Sequence, residues 1–482
     1  MMNQLQEKIQ SIEQGLQTAP VFLQHSPAAP ANLSERMAHH CVPGVSLAVI
    51  NNGAVEWAKG YGVANAESLI PVTTATSFSA MSISKPVTAL AVLRLVQEEI
   101  LDLDTDINHY LHRWHVPENE LTHRAHITLR HCLSHTAGLD VGEYYGYAPD
   151  EPMPTFLQLL QGEFPSNSGP VQVNTEPGAR YLYSGAGYWV VQQIIEEVTG
   201  DPFAAAMQKL VLEPLGMTAS TFVEPDDTVA AAHDGNGAVT FDKWTRHPGK
   251  ADGGLWTTPT DLAQYALEVM RAYSHNGGCI LTQQVAQTML TPQAGFHGLG
   301  PFITGSGDRL QFNHGGAGEG FLCRLVAFPA RGQGAVIMTN GANGWPQILE
   351  LLRSLALVYA WPHYQPVGKT RVAVETERLT AYAGTYAITA DPLTVDRFVE
   401  YTGQWQVRDG RPVCYTVRTV EDHLFVQFPN GDAMAFYPAS DRMFFALENE
   451  TMLYFAPLAD DAVQALEVVI CDELRLQAAR VE

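Results

Sequence analysis

One stretch of this 482-residue chain limits its architecture more than any other. From Val87 to Val96 the residues Val87, Ala89, Leu90, Ala91, Val92, Leu93, Leu95 and Val96 are apolar, and Arg94 is the one charge. A helix that is apolar on nearly every face belongs inside a protein, not on its surface. Pro86 stands directly before the run, and proline, lacking a backbone N–H, is tolerated in the first helical turn. The chain is therefore predicted to fold around a buried helix that starts near Pro86. Ser82 and Lys85 then lie at its N-terminus, three residues apart and so on one face. Unpaired N–H groups and the positive dipole end favour a developing anion there. A serine hydroxyl is a weak nucleophile that needs a base beside it, and desolvation can lower a lysine amine far enough to serve. The plainer alternative makes Ser79 or Ser82 a helix cap and Lys85 a surface charge. Segments further along decide between the two.

A chain of this length forms roughly two to three domains. Residues 3–17 predict a short helix and Pro20 to Pro30 a linker, so residues 1–30 are set apart. From Pro43 the pattern is strand-like. Val45, Leu47 and Val49 alternate, Asn51-Asn52-Gly53 turns, and Val55 and Trp57 resume, which is the signature of a hairpin. Residues 100–235 read as helix and loop, including a helix from Trp189 to Thr199 stopped by Gly200. Another helix is predicted over Asp261 to Tyr273, with Thr258 or Thr260 as its cap. Strands return at Gly320 to Phe328 and Gly334 to Thr339, joined by Ala330-Arg331-Gly332. Strands at both ends of a helical middle predict a sheet closed by the termini of a domain over residues 31–365, with the helical region forming one wall of a cleft.

A linker is expected over residues 366–378, and beyond it the character changes. Short strand-like runs recur at Tyr382 to Tyr386, Gln404 to Arg408, Val413 to Val417, Leu424 to Phe428, Ala433 to Tyr437, Met443 to Leu447, Met452 to Phe455 and Val463 to Ile470. Turn residues such as Asn430-Gly431-Asp432 separate them. Many short strands at regular spacing predict a β-barrel or sandwich over residues 379–482.

Charge and composition exclude several function classes. A net charge of -23 argues against nucleic acid or an anionic membrane as partner, since both need basic patches. No run approaches the ~18 apolar residues that a membrane span needs. The first twenty residues lack the basic and apolar regions of a signal peptide. Six scattered cysteines without C-x-x-C are read as reduced thiols, so a cytoplasmic protein is expected. The histidines at 109, 112, 115, 123, 126, 131 and 135 invite a metal hypothesis. With no H-E-x-x-H and no carboxylates placed to complete a set, no metal and no other cofactor is expected. A G-x-S-x-G elbow is absent, which removes the α/β-hydrolase reading.

Two later segments bear on Ser82 and Lys85. One runs from Glu176-Pro177-Gly178 to Tyr183-Ser184-Gly185, and the other is Phe312-Asn313-His314-Gly315-Gly316-Ala317-Gly318. Ser-x-x-Lys, then Tyr-Ser-x, then His-Gly-Gly in that order resembles the serine β-lactamase-like, or penicillin-binding-protein-like, family. That group includes class C β-lactamases, D-alanyl-D-alanine carboxypeptidases, D-aminopeptidases and family VIII esterases. Val42-Pro43-Gly44-Val45-Ser46, Leu133 to Leu139 and Pro214-Leu215-Gly216-Met217 strengthen the likeness, which covers roughly residues 33–360. The C-terminal region resembles, more weakly, the lipocalin-like barrel appended to some members.

The resemblance implies an α+β fold, an antiparallel sheet flanked by helices with a helical subdomain, followed by an all-β barrel. It implies that Ser82 is acylated, that Lys85 activates it and that Tyr183 shuttles a proton to the leaving group. The backbone N–H groups of Ser82 and Ala317 would form the oxyanion hole. His314 stands where many relatives have the lysine of K-T-G, and is expected to contact substrate. Gly315 and Gly316 would let substrate approach the strand. Taken alone, Tyr183 would be a core tyrosine and His314 a turn residue. Where penicillin-recognising relatives have Tyr-x-Asn, this chain has Gly185, which cannot contact the lysine or an acyl amide and argues against efficient β-lactam turnover. The expectation is a cofactor-independent serine hydrolase acting on a small-molecule or peptide substrate, foremost a peptidase or amidase on small peptides, with D-residues among the candidates. A carboxylesterase, a β-lactamase, and an acyltransferase or peptide cyclase would use the same residues. A non-catalytic binding protein is disfavoured by the intact Ser82, Lys85 and Tyr183. The barrel is expected to cap the cleft or to mediate assembly into a homo-oligomer.

Overall fold

The structure is a computed structural model that describes residues 2–24, 31–141, 145–148, 150–226, 228–240, 243–274, 277–318, 320–389, 414–428, 433–449, 451–457, 463–470 and 474–481. The strand expected over Gln404 to Arg408, the turn Asn430-Gly431-Asp432, most of the Pro20 to Pro30 linker, Glu319 and Cys471 lie outside the described residues. Contacts divide the chain into two units, Leu33–Leu352 on the one hand and Met1–Asn32 with Arg353–Glu482 on the other.

In Leu33–Leu352 the principal strands are β1 (Gly44–Asn51), β2 (Ala54–Asn65), β3 (Gln311–Gly318), β4 (Phe321–Phe328) and β5 (Gln333–Thr339). Among the described residues they form a seven-stranded antiparallel sheet in the order Ile70–Pro71, β2, β1, β5, β4, β3, Phe302–Thr304. The strands from the two ends of the domain meet where β5 pairs with β1. Asn52 and Gly53 turn the first hairpin with φ of 52° and 70°, the left-handed pair that a tight hairpin requires and that Asn-Gly supplies at little cost.

Four helices position the site. The helix α1 (Ser84–Gln97) follows a 3₁₀ turn at Met81–Ile83, and Ser84 to Leu93 are all buried. Its apolar side chains join one large core with the inner faces of the sheet and of the other helices. The short α2 (Leu129–Leu133) starts with a capping box. Thr128 accepts from the His131 N–H at 3.2 Å, and the Thr128 N–H donates to the His131 ring at 3.3 Å. His131 is thus spent on a helix end, and among the described residues no group of histidines, cysteines and carboxylates is arranged to hold a metal. The helix α3 (Gly185–Thr199) is capped by Ser184 and ends at Gly200 with φ 72°. It begins four residues before the sequence signal, because Gly185 to Tyr188 carry no strong helical pattern but follow a good cap. The helix α4 (Pro259–Ser274) has its Asp261 N–H bonded to Thr258 Oγ1 at 3.2 Å.

In the second unit, eight strands among the described residues close a barrel: β6 (Gly384–Ile388), β7 (Cys414–Val420), β8 (His423–Gln427), β9 (Ala433–Pro438), β10 (Met443–Ala446), β11 (Thr451–Phe455), β12 (Ala465–Ile470) and β13 (Leu474–Arg480). Closure comes from β6, which pairs with both β7 and β13. Alternate residues such as Tyr415 and Val417, Leu424 and Val426, and Leu453 and Phe455 share one buried cluster, as the two-residue period of a strand dictates. The helix near the N-terminus covers Met2–Gln14 and belongs to this unit. Two stretches expected to be linkers carry structure, since Val21–Leu23 pairs in parallel with Val367–Lys369. Cys41, Cys132, Cys279 and Cys323 are free thiols. No helix among the described residues is long and apolar enough to cross a membrane.

Candidate active site

The 3₁₀ turn places Ser82 on the rim of the core while Lys85, one turn on, points into it. Lys85 is 1 % exposed, a costly place for an amine unless its N–H groups are matched. Nζ donates to Ser82 Oγ at 3.2 Å and to the Asp252 backbone carbonyl at 2.8 Å, with Asp252 Oδ2 3.9 Å away. The spacing read from the sequence thus brings hydroxyl and amine together.

The loop that supplies this carbonyl, residues 248–255, is held from two sides. From α1, Thr88 Oγ1 donates to Ala251 O at 3.1 Å and Ser84 Oγ accepts from the Leu255 N–H at 3.0 Å. From α3, Gln192 Oε1 accepts from the N–H groups of Lys250 and Ala251, at 2.7 and 3.1 Å, and Trp189 Nε1 donates to Asp252 Oδ1 at 2.9 Å. Gly185, the buried first residue of α3, offers Lys85 no side chain. The Asp252 carbonyl accepts from the amine instead. Sequence reasoning missed Asp252, because a main-chain acceptor leaves no side-chain signature.

Tyr183 lies just before α3, half-buried, with Lys85 Nζ 5.0 Å from its ring centroid. On the other strand of the site, Gly316 has no room for a side chain: a Cβ there would fall 2.2 Å from the Ala80 carbonyl oxygen and 2.4 Å from Cys323 Sγ. Glycine at 316 therefore permits the close approach of β3 to the turn that carries Ser82. A Cβ on Gly315 would meet the Trp345 ring at 2.9 Å. Ala317, opposite Leu322 in the ladder, is exposed.

His314 is buried at 1 % exposure, where a substrate contact had been expected of it. Its Nδ1 is 2.7 Å from Gly315 O, and its ring lies 5.0 Å from Phe302 and 6.5 Å from Tyr183. Burial, with His297 and Lys85 nearby, holds it well below the ordinary histidine pKa, so the ring is neutral. Two more histidines complete this cluster. His135 stacks on Tyr183 with centroids 4.2 Å apart, and His297 meets His135 edge-on at 4.8 Å. Burial keeps both neutral, His297 down to about 4 and His135 also well below its usual value. His135 is legible in the sequence only as one of a run of histidines weighed for metal and as part of the Leu133 to Leu139 segment, and His297 carries no signal at all.

Next to the turn that carries Ser82, Met81, Trp244, Trp256 and Phe321 line a shallow depression with room for about one water molecule, with Lys250 and Glu224 ion-paired on its wall.

The Beta-lactamase family model matches residues 30–360. Protein flp of Staphylococcus aureus (strain MRSA252) is 23 % identical over 393 residues, 77 % of this chain and 73 % of that protein. Esterase EstB of Burkholderia gladioli is 32 % identical over 202 residues, 40 % of this chain and 50 % of its own length. The octameric penicillin-binding protein homologue from Pyrococcus abyssi superposes with a TM-score of 0.58 at 22 % identity, covering 92 % of this chain and 98 % of that one. D-amino acid amidase from Ochrobactrum anthropi SV3, complexed with D-phenylalanine, gives 0.56 at 22 % identity, over 68 % and 97 %. These two structural likenesses are likenesses of fold.

Proposed function

The chain belongs to the β-lactamase family and is a serine hydrolase, and we propose that it cleaves an amide or ester bond through an acyl-enzyme on Ser82. The observation that carries this reading is the 3.2 Å contact between Lys85 Nζ and Ser82 Oγ, made by an amine that is buried and anchored by a backbone carbonyl. Lys85 Nζ serves as the base that takes the hydroxyl proton as Oγ attacks the substrate carbonyl. The tetrahedral oxyanion is held by the N–H groups of Ser82 and Ala317. Collapse breaks the bond to the leaving amine or alcohol, which takes a proton from Tyr183, and the tyrosinate is reprotonated from Lys85. Water then attacks the acyl carbonyl, and the same groups return the serine to its starting state. The buried, neutral His314 stands beside Tyr183 in this scheme and adds no charge to it.

Trp244, Trp256 and Phe321, beside Met81, offer aromatic surface that suits contact with an apolar or aromatic acyl side chain. A small peptide or amino-acid amide, with a D-residue at the acyl position, is the preferred substrate, and the likeness to D-amino acid amidase agrees with it. The match to Esterase EstB supports a carboxylic ester as the second reading.

Intact mass after a fluorophosphonate probe tests the nucleophile. One adduct on the native chain and none on Ser82→Ala is expected; no adduct on either overturns the acyl-enzyme. Rates on D- and L-phenylalanine p-nitroanilide against p-nitrophenyl butyrate then separate amidase from esterase.

A further inference from the structure

Three contacts to the segment around Tyr183 come from one residue. The carbonyl of His135 accepts from the Leu182 N–H at 2.7 Å, its Nδ1 accepts from the Ser184 N–H at 3.1 Å, and its ring stacks on Tyr183 at an interplanar angle of 30°. His135 is 2 % exposed and sits at φ 57°, a left-handed conformation that few side chains adopt. A backbone N–H can only donate, so Nδ1 must carry a lone pair and the ring proton must be on Nε2. His297 and His314 have the opposite arrangement. Their Nδ1 atoms face the carbonyls of Gly298 and Gly315, at 3.0 and 2.7 Å, which assigns the proton to Nδ1 and leaves Nε2 bare. The Nε2 atoms of all three are buried without a hydrogen-bond partner among the described residues.

We propose that His135 is a positioning residue for Tyr183, and that it works only as the tautomer whose Nδ1 accepts the Ser184 N–H. The inference rests on the reading of Tyr183 as the proton donor to the leaving group. A proton on Nδ1 would set two donors against each other and release the segment on one side of Tyr183. The surrounding groups oppose that proton: Lys85, His297 and His314 face the ring, and Tyr181, Tyr183 and Tyr188 pack around it with no carboxylate among them.

The test compares His135→Asn with His135→Gln. Asparagine places its carbonyl oxygen where Nδ1 stands and tolerates the left-handed backbone, whereas the glutamine amide reaches the position of Nε2 and leaves the Ser184 N–H without an acceptor. Fluorophosphonate labelling of Ser82 expels fluoride, needs no proton from Tyr183 and so reports that the fold and the Ser82–Lys85 pair are intact. Labelling within about threefold of native is expected in both variants. On an amide substrate His135→Gln is expected to lose about 10- to 100-fold in kcat with little change in KM, as for a buried donor left unpaired, while His135→Asn keeps most of the rate. In the burst of p-nitrophenolate from a p-nitrophenyl ester, which reads acylation alone with a leaving group that needs no proton, the loss should nearly vanish. In a Tyr183→Phe background His135→Gln should cost nothing further. Equal losses for Asn and Gln, equal losses on amide and ester, or additivity with Tyr183→Phe would overturn the proposal. If His135→Gln fails to label, His135→Asn decides alone: a loss of 10-fold or more in kcat with labelling intact overturns it. A fully active Tyr183→Phe would instead bring down the reading of Tyr183 itself, and the inference with it.

Discussion

The barrel and the hydrolase unit bury different chemistry. Inside the barrel the cluster around Tyr386, Tyr415, Phe436, Phe444 and Phe455 is aromatic and aliphatic, and the Tyr386 hydroxyl donates to Tyr382 O at 2.8 Å. Around Ser82, Lys85, His135, His297 and His314 are each 2 % exposed or less, and among the described residues three imidazole nitrogens have no hydrogen-bond partner, where the barrel leaves the Thr419 hydroxyl in that position. An unpaired buried polar atom costs about 1–3 kcal/mol, so this arrangement is not one that stability alone would favour. The barrel shows what a pattern of alternating residues achieves unaided. The hydrolase core shows that a site is built from departures from such a pattern, at the expense of the surrounding apolar packing.

Lys85→Met should break the contrast most strongly. It replaces the buried amine with an apolar chain of similar length, making the core around α1 resemble the barrel's. Hydrolysis is expected to fall by about 10⁴-fold, the upper range for loss of a general base, and the thermal midpoint should fall with it, because the buried Asp252 loses the bond to its carbonyl and the cation near its carboxylate. A variant that kept more than a tenth of the native rate would show that Lys85 is not the base. In the barrel, Phe455→Ala should do the reverse. It removes a ring that packs on Tyr382 at 4.5 Å and on Phe444 at 5.6 Å. About 3–5 kcal/mol of that unit's stability should go, read from urea unfolding, and a cost below ~1 kcal/mol would mean the ring is not structurally needed there.

The same division explains what was legible in the sequence. The buried helix, the Asn52-Gly53 hairpin and the strands of the sheet follow from period and turn chemistry, and Ser82 with Lys85 follows from spacing on a helix. Tyr183 and the β3 glycines needed the likeness to a known family. Asp252 was hidden because its carbonyl, not its side chain, meets Lys85. The strand at Val21–Leu23 was hidden because its partner, Val367–Lys369, lies more than three hundred residues away and both segments are short and rich in neither period. His297 is joined to the site only by tertiary packing against His135, Tyr181 and Phe302, and no local pattern marks such a residue.

His297 also offers the finest measure of the contrast. Its pKa is held down to about 4 by burial, whereas an unfolded histidine titrates near ~6.5. Below about pH 6.5 the unfolded chain takes up a proton that the folded chain refuses until about pH 4. The stabilisation from keeping His297 neutral is therefore complete above pH 6.5 and is lost as the pH falls through that window, by up to about 1.4 kcal/mol per pH unit. His135 and His314, facing it with Lys85, add losses of the same sign. His297→Phe keeps an aromatic ring among Tyr181 and Phe302 and gives up the Nδ1–H bond to Gly298, so near pH 7 its stability should lie within about 1 kcal/mol of native. Between pH 6 and 5 its stability should fall less steeply by about 1.4 kcal/mol per pH unit, one proton's worth. Urea unfolding at pH 7, 6 and 5, followed by the loss of Ser82 labelling, reads this difference from the hydrolase unit itself. Parallel profiles for the two proteins would mean that His297 is charged in the fold, and that the core around Lys85 is wetter than its burial implies.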